Sequence, residues 1–178
     1  MRSIATVALA VAVLSAAARA EEPPRLASKV VLKSPDGKKS YDLAKLTAGG
    51  PVLVRLTCAC SGCDQELPFF QKLQAAYGSR GLQTLAVFQE KPDVARDYVA
   101  KKDLRFLWLA DPKRQAWTTF HATTMPTNIL LAKGGRVVSV LPGCTRDGRN
   151  AQALSAELGK LLKTKEVQVA ERKPRPKE

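Results

Sequence analysis

Apolar positions in this chain fall into short runs whose spacing switches between strand and helix periods. "SKVVLKSPDGKKSYDL" (28–43) reads as two short strands around Pro35-Asp36-Gly37, a turn in which Asp-Gly supports positive φ. After a connection broken by Gly49-Gly50, "PVLVRLTC" (51–58) has the apolar, β-branched character and length of a buried central strand. "CDQELPFFQKLQAAYGSRG" (63–81) then changes to helical period. Leu67, Phe70, Leu73, Ala76 and Tyr77 share one face, a kink is expected at Pro68, and Gly78 or Gly81 ends the helix.

Downstream, "LQTLAVFQ" (82–89) predicts a strand, "PDVARDYVAKKD" (92–103) a helix, "RFLWLAD" (105–111) a short strand and "KRQAWTTFH" (113–121) a helical turn. "TNILLA" and "RVVSVL" predict a hairpin turning at Lys133-Gly134-Gly135. "NAQALSAELGKLLK" (150–163) predicts a closing helix with Asn150 as its N-cap. Strands interleaved with helices and followed by a hairpin imply one α/β domain with a central mixed sheet flanked by helices.

The ends of the chain differ from this pattern. "MRSIATVALAVAVLSAAARA" combines Arg2, an uncharged apolar centre and Ala18-Arg19-Ala20, the layout of a cleaved secretory signal over residues 1–20. Its centre is short and alanine-rich for a membrane span, and no later stretch is long enough to be one. Residues 21–27 read as a linker, 28–162 as the domain, and 163–178 as a basic, disordered tail with six basic and three acidic side chains. Export to the periplasm or beyond the cell places the protein where disulfides persist.

The formal charge is +13, and removing Arg2 and Arg19 with the signal leaves +11. The basic residues are scattered outside the tail, and export argues against nucleic acid, so a soluble basic surface is the reading.

Four cysteines are too few for a disulfide scaffold in a chain this long. Three of them, Cys58, Cys60 and Cys63, crowd the strand-to-helix passage "TCACSGCDQ". A cysteine at a helix start meets unpaired N–H groups and the positive dipole end, both of which favour thiolate. Cys60 and Cys63, three residues apart on a first turn, can close a disulfide. Cys60 is the more exposed attacking thiol and Cys63 resolves the mixed disulfide.

With those residues in view, the chain resembles the thioredoxin superfamily, closest to its exported TlpA/ResA-type and AhpC/TSA-related group. The resemblance runs through "VVLKSPDGKKSYDL", "GGPVLVRL", Cys60-x-x-Cys63 followed by Glu66 and Pro68, "YGSRGLQTLAVFQE", and "FLWLADPKRQAWTTFHATTMPTNILLAKGGRVV". It implies a thioredoxin-like fold and thiol–disulfide oxidoreductase activity with no dissociable cofactor and no metal. It also implies that Pro126 is a cis-proline facing the cysteine pair, that Met125-Pro126 presents backbone to substrate, and that Glu66 is a candidate proton relay near the second thiol. The implied partners are cysteine-containing exported proteins and an envelope redox partner, with the chain itself a monomer.

There are departures from the family pattern. Ala59 stands where a tryptophan is usual, and Arg55 interrupts an apolar strand, either supporting a thiolate or snorkelling from a sheet edge. A second disulfide between Cys58 and Cys144 would account for the even cysteine count.

Three other readings stay open. Thr57-x-x-Cys60 has the spacing of a thiol peroxidase, with Arg105 or Arg136 as partner, although Leu53 stands where that family has proline. Cys58, Cys60 and Cys63, with His121 as a further candidate, offer soft ligands to Cu(I), although the usual C-x-x-x-C spacing would place a cysteine at Asp64. A docking module with an unused cysteine pair is the third.

Overall fold

The computed structural model describes residues 30–170. The expected signal and linker, and residues 171–178 of the expected tail, lie outside the described residues. Strands β1 (Val31–Lys33) and β2 (Ser40–Asp42) form the opening hairpin, and α1 (Leu43–Leu46) follows, capped by the Asp42 carboxylate. Next come β3 (Val52–Thr57), α2 (Ser61–Asp64), α3 (Leu67–Tyr77), β4 (Gln83–Phe88), α4 (Pro92–Lys101), β5 (Leu107–Ala110) and α5 (Gln115–Thr119). The hairpin β6 (Thr127–Leu131) and β7 (Val137–Pro142) precedes α6 (Arg149–Leu161).

The seven strands form one mixed sheet in the order β2-β1-β5-β4-β3-β6-β7. β3 runs parallel to β4 and antiparallel to β6. All six residues of β3 are buried, because helices cover both faces of the strand. The pleat sends Val52, Val54 and Leu56 into a cluster with Leu85, Val87, Leu109, Ile129 and Trp117. It sends Leu53 the other way, against Phe70, Leu73, Tyr77, Leu130, Leu154 and Leu158 of α3, β6 and α6. Gly50 precedes β3 with no room for a side chain: a Cβ there would stand 2.4 Å from the Gly81 carbonyl oxygen.

Local features depart from expectation at several places, beginning with α1, a helical turn at residues 43–46 where a plain connection was expected. The cysteine helix is not one kinked helix but two, since α2 ends at Asp64 and α3 begins at Leu67. Pro68 therefore sits in the first turn of α3, where its missing N–H leaves no bond unmade. At α6 the N-cap position is Gly148, at φ 73°, and Asn150 lies inside the first turn. Thr145 Oγ1 accepts the Asn150 N–H at 3.1 Å, so a threonine five residues back does the capping.

A further departure is the tail. Residues 164–170 are not disordered; they pack along α6. Val169 is buried in the α3–α6 core. The Val167 N–H donates to Tyr77 Oη at 2.9 Å, and Gln152 Oε1 accepts the N–H of Val169 at 2.9 Å. The pull is the apolar Val167 and Val169 set among the charges, so the packed domain extends beyond 162. A chain ending at Lys163 will lose about 2 kcal/mol of stability through the lost burial of Val169, read as an earlier denaturant midpoint. An unchanged midpoint would contradict this docking.

Candidate active site

β3 ends at Thr57 and delivers the cysteines at the C-terminal edge of the parallel strands. Cys58 is buried just beyond the strand, Cys60 is exposed at the N-cap of α2, and Cys63 is buried within that single turn. The structure joins Cys58 to Cys60 and leaves Cys63 free. Cys63 Sγ lies 3.4 Å from Cys58 Sγ and 3.6 Å from Cys60 Sγ. Thus the expected Cys60–Cys63 pair is in contact but unbonded, and the proposed Cys58–Cys144 disulfide is not formed. The reason is local: the two-residue spacing keeps Cys58 beside Cys60, with Cα atoms 5.3 Å apart, inside the range a disulfide spans.

Strand direction locates the other candidates. β6 pairs Thr127 with Leu56, so Met125 and the buried Pro126 come to the same edge as the cysteines, and the Met125–Pro126 peptide is cis. β7 returns antiparallel and brings Gly143 and Cys144 to this edge too, where the Gly143 N–H donates to the Pro126 carbonyl at 2.7 Å. Cys144 is free and half-buried. Its thiol is pushed above its usual pKa by burial first, then by the charges of Glu66 and Cys63, with Arg55 and the Glu66 backbone N–H working against them. Cys144 is therefore a protonated, weakly nucleophilic thiol near neutral pH.

Beneath the cysteines lies a buried charge cluster. Arg55 is not at a sheet edge; it is 1% exposed in an interior strand. Arg55 Nη1 donates to Glu66 Oε2 at 3.0 Å and to Asn128 Oδ1 at 2.8 Å, and Nη2 donates to the Cys63 carbonyl at 2.9 Å. The guanidinium stacks 4.5 Å from the Phe70 ring centre. Asn128 Nδ2 donates to Glu66 Oε2 at 3.4 Å, and the Thr145 N–H and hydroxyl donate to Oε1 at 3.0 and 2.9 Å. Arg55 and Asn128 face each other directly in the β3–β6 register. The sequence reading missed Asn128 and Thr145. The available signal was a polar residue inside each of two apolar runs, which demands a buried partner. On the outer side, Tyr98 of α4 and Lys102 at that helix's C-cap hold Asp64 of α2, which fixes the cysteine turn against α4.

The sulfurs of Cys58, Cys60 and Cys63 all lie within 4.8 Å of one another, a set that would suit a soft monovalent ion when fully reduced. His121 is exposed and not part of that group. The peroxidase candidates do not converge. Arg105 precedes β5 and Arg136 lies in the β6–β7 turn, both at the opposite end of the sheet from Cys60. Thr57 Oγ1 approaches the Cys58 carbonyl at 3.5 Å.

The AhpC/TSA family model matches residues 25–140. The chain belongs to the AhpC/TSA family. Among curated proteins, the thiol-disulfide oxidoreductase ResA of Bacillus thuringiensis is 26% identical over 118 residues, covering 66% of this chain and 68% of that protein. The sporulation thiol-disulfide oxidoreductase A of Bacillus subtilis is 27% identical over 127 residues, covering 68% and 75%. Among solved structures, one assigned as the thiol:disulfide interchange protein DsbE of Chlorobium tepidum superposes with TM-score 0.69 at 24% identity, covering 80% of this chain and 98% of that one. StoA of Bacillus subtilis gives TM-score 0.58 at 22% identity, covering 74% and 96%. These likenesses show the thioredoxin-like fold of this AhpC/TSA chain.

Removing one member of the buried pair strands the other. Glu66→Ala will cost about 3–5 kcal/mol, whereas the double replacement Arg55→Met with Glu66→Met will recover much of that loss. Urea unfolding of the three proteins checks this, and a double variant no more stable than Glu66→Ala would contradict it.

Proposed function

We propose that this chain is an exported thiol–disulfide oxidoreductase in which Cys60 is the nucleophile and Cys63 a resolving thiol. The observation that carries the reading is an exposed Cys60 sulfur 3.6 Å from the buried Cys63 sulfur, at the edge of the sheet that also carries Pro126. In the reducing direction the Cys60 thiolate attacks a substrate disulfide, forms a mixed disulfide and releases one substrate thiolate. A resolving thiolate then attacks Cys60 Sγ, the second substrate thiolate leaves, and the electron pair lost by the protein has reduced the substrate. Run backwards, the same steps oxidise a dithiol.

Other residues shape this exchange. The backbone of Met125-Pro126 offers an edge to an extended substrate segment. Glu66 accepts hydrogen bonds at both carboxylate oxygens from Arg55, Asn128 and Thr145. These bonds support a positioning role for Glu66, which holds the Cys63 turn through Arg55, beside the proton-relay role that the family resemblance implies. The substrates are cysteine-containing exported proteins, with an envelope dithiol protein restoring the starting state. Export itself rests on the amino-terminal sequence. Among the described residues no helix is long and apolar enough to cross a membrane.

Cys60→Ser will reduce exchange with glutathione disulfide to the uncatalysed rate while the folded far-ultraviolet dichroism is kept. Exchange at the wild-type rate in that variant would refute the assignment of the nucleophile.

A further inference from the structure

The site holds one thiol more than a two-cysteine exchange cycle uses. Cys58 is buried, directly follows the interior strand β3, and is bonded to the nucleophile Cys60 in the structure. Cys63 lies within contact distance of both sulfurs of that bond, at 3.4 and 3.6 Å. A closure of about 1.5 Å brings either contact to disulfide length. None of the three sulfurs must travel across the molecule, since all lie within 4.8 Å of each other.

We propose that Cys58 is a second resolving thiol, and that the oxidised site exchanges its single disulfide among Cys58, Cys60 and Cys63. This inference rests on the exchange reading with Cys60 as nucleophile. Starting from the Cys58–Cys60 bond, the Cys63 thiolate attacks Cys60 Sγ. The Cys60–Cys63 bond forms, the Cys58–Cys60 bond breaks, and its electron pair leaves on Cys58. The proton lost by Cys63 is matched by one gained at Cys58, so no outside oxidant or reductant is needed.

Attack on Cys58 Sγ is the alternative. The Cys58–Cys63 bond then forms between two buried sulfurs and Cys60 is released as an exposed thiolate. In that arrangement the protein carries its oxidising equivalents out of reach while presenting a free nucleophile. With a substrate in mixed disulfide on Cys60, either buried thiol can release it.

The test uses the full mature chain in a Cys144→Ser background, so that alkylation mass counts only the three clustered thiols. Glutathione-buffered titration is followed by rapid alkylation and intact mass. Cys63→Ser will keep a reversible two-electron transition through Cys58–Cys60, and Cys58→Ser will keep one through Cys60–Cys63. Each single variant will turn over glutathione disulfide more slowly than the background protein but will still release the mixed disulfide from Cys60, because one resolving thiol survives. The double variant Cys58→Ser with Cys63→Ser will show no transition and will accumulate a stable mixed disulfide on Cys60. Far-ultraviolet dichroism of each variant, with Cys63→Ala as a second replacement, separates a folding defect from a chemical one.

A stable mixed disulfide on folded Cys63→Ser, with no internal disulfide, would overturn the role of Cys58 and leave the exchange reading intact. Exchange at the wild-type rate in Cys60→Ser would overturn both, so the two failures read differently.

Discussion

A guanidinium in the middle of a fully buried strand must find its counter-charge and hydrogen bonds within the protein. Arg55 does so with three partners from three parts of the chain: Glu66 between the two site helices, Asn128 across the sheet, and the Cys63 carbonyl. Glu66 in turn ties in Thr145, in the loop that carries Cys144. The break between α2 and α3, the position of the cysteine turn over the sheet, and the approach of the β7 loop to the site all meet at this ion pair. Apolar packing holds the domain together, but this pair sets where the sulfurs stand. Its worth as net stability is small beside a well-packed apolar alternative, because both charges are desolvated. Its contribution is to orientation.

That orientation explains how a helix of one turn can serve as a site. Four residues carry little of the macrodipole that a long helix brings to its first residue. Here the turn is held from below by Arg55 on the Cys63 carbonyl and from the side by Lys102 and Tyr98 on Asp64. Held on two sides, the turn presents Cys60 to solvent and keeps Cys63 inside. Strand β3 fixes Cys58 independently of α2, so two separately anchored thiols flank the exposed one.

Strand and helix periods in the sequence were enough to place the seven strands and the longer helices in order, because β3, β4 and β6 are apolar runs bounded by clear breaks, but they missed the short turn α1 and the division of α2 from α3. The cysteine edge was legible because it sits at a strand-to-helix junction that the periodicity marks, whereas Pro126 and Glu66 were named only through the family resemblance, since a proline at a strand start and a helix glutamate carry no signal of their own. What periodicity does not encode is partnership across the sheet. Arg55 read as an oddity because its partner Asn128 lies more than seventy positions away in sequence and only register brings them opposite. The Cys58–Cys144 pairing failed for the same reason in reverse, since parity of count says nothing about distance. Residues 164–170 of the tail were misread as disordered because charge outweighs two valines in composition, while one of those valines fills a core position.

The most direct test of a cluster of interchanging thiols at this edge is a redox titration of the wild-type mature protein with all four cysteines followed by differential alkylation. One reversible two-electron transition, consuming two of the three thiols at positions 58, 60 and 63 while Cys144 stays free throughout, is the predicted result. A disulfide that includes Cys144, or a cluster that stays fully reduced under oxidising glutathione, would contradict it.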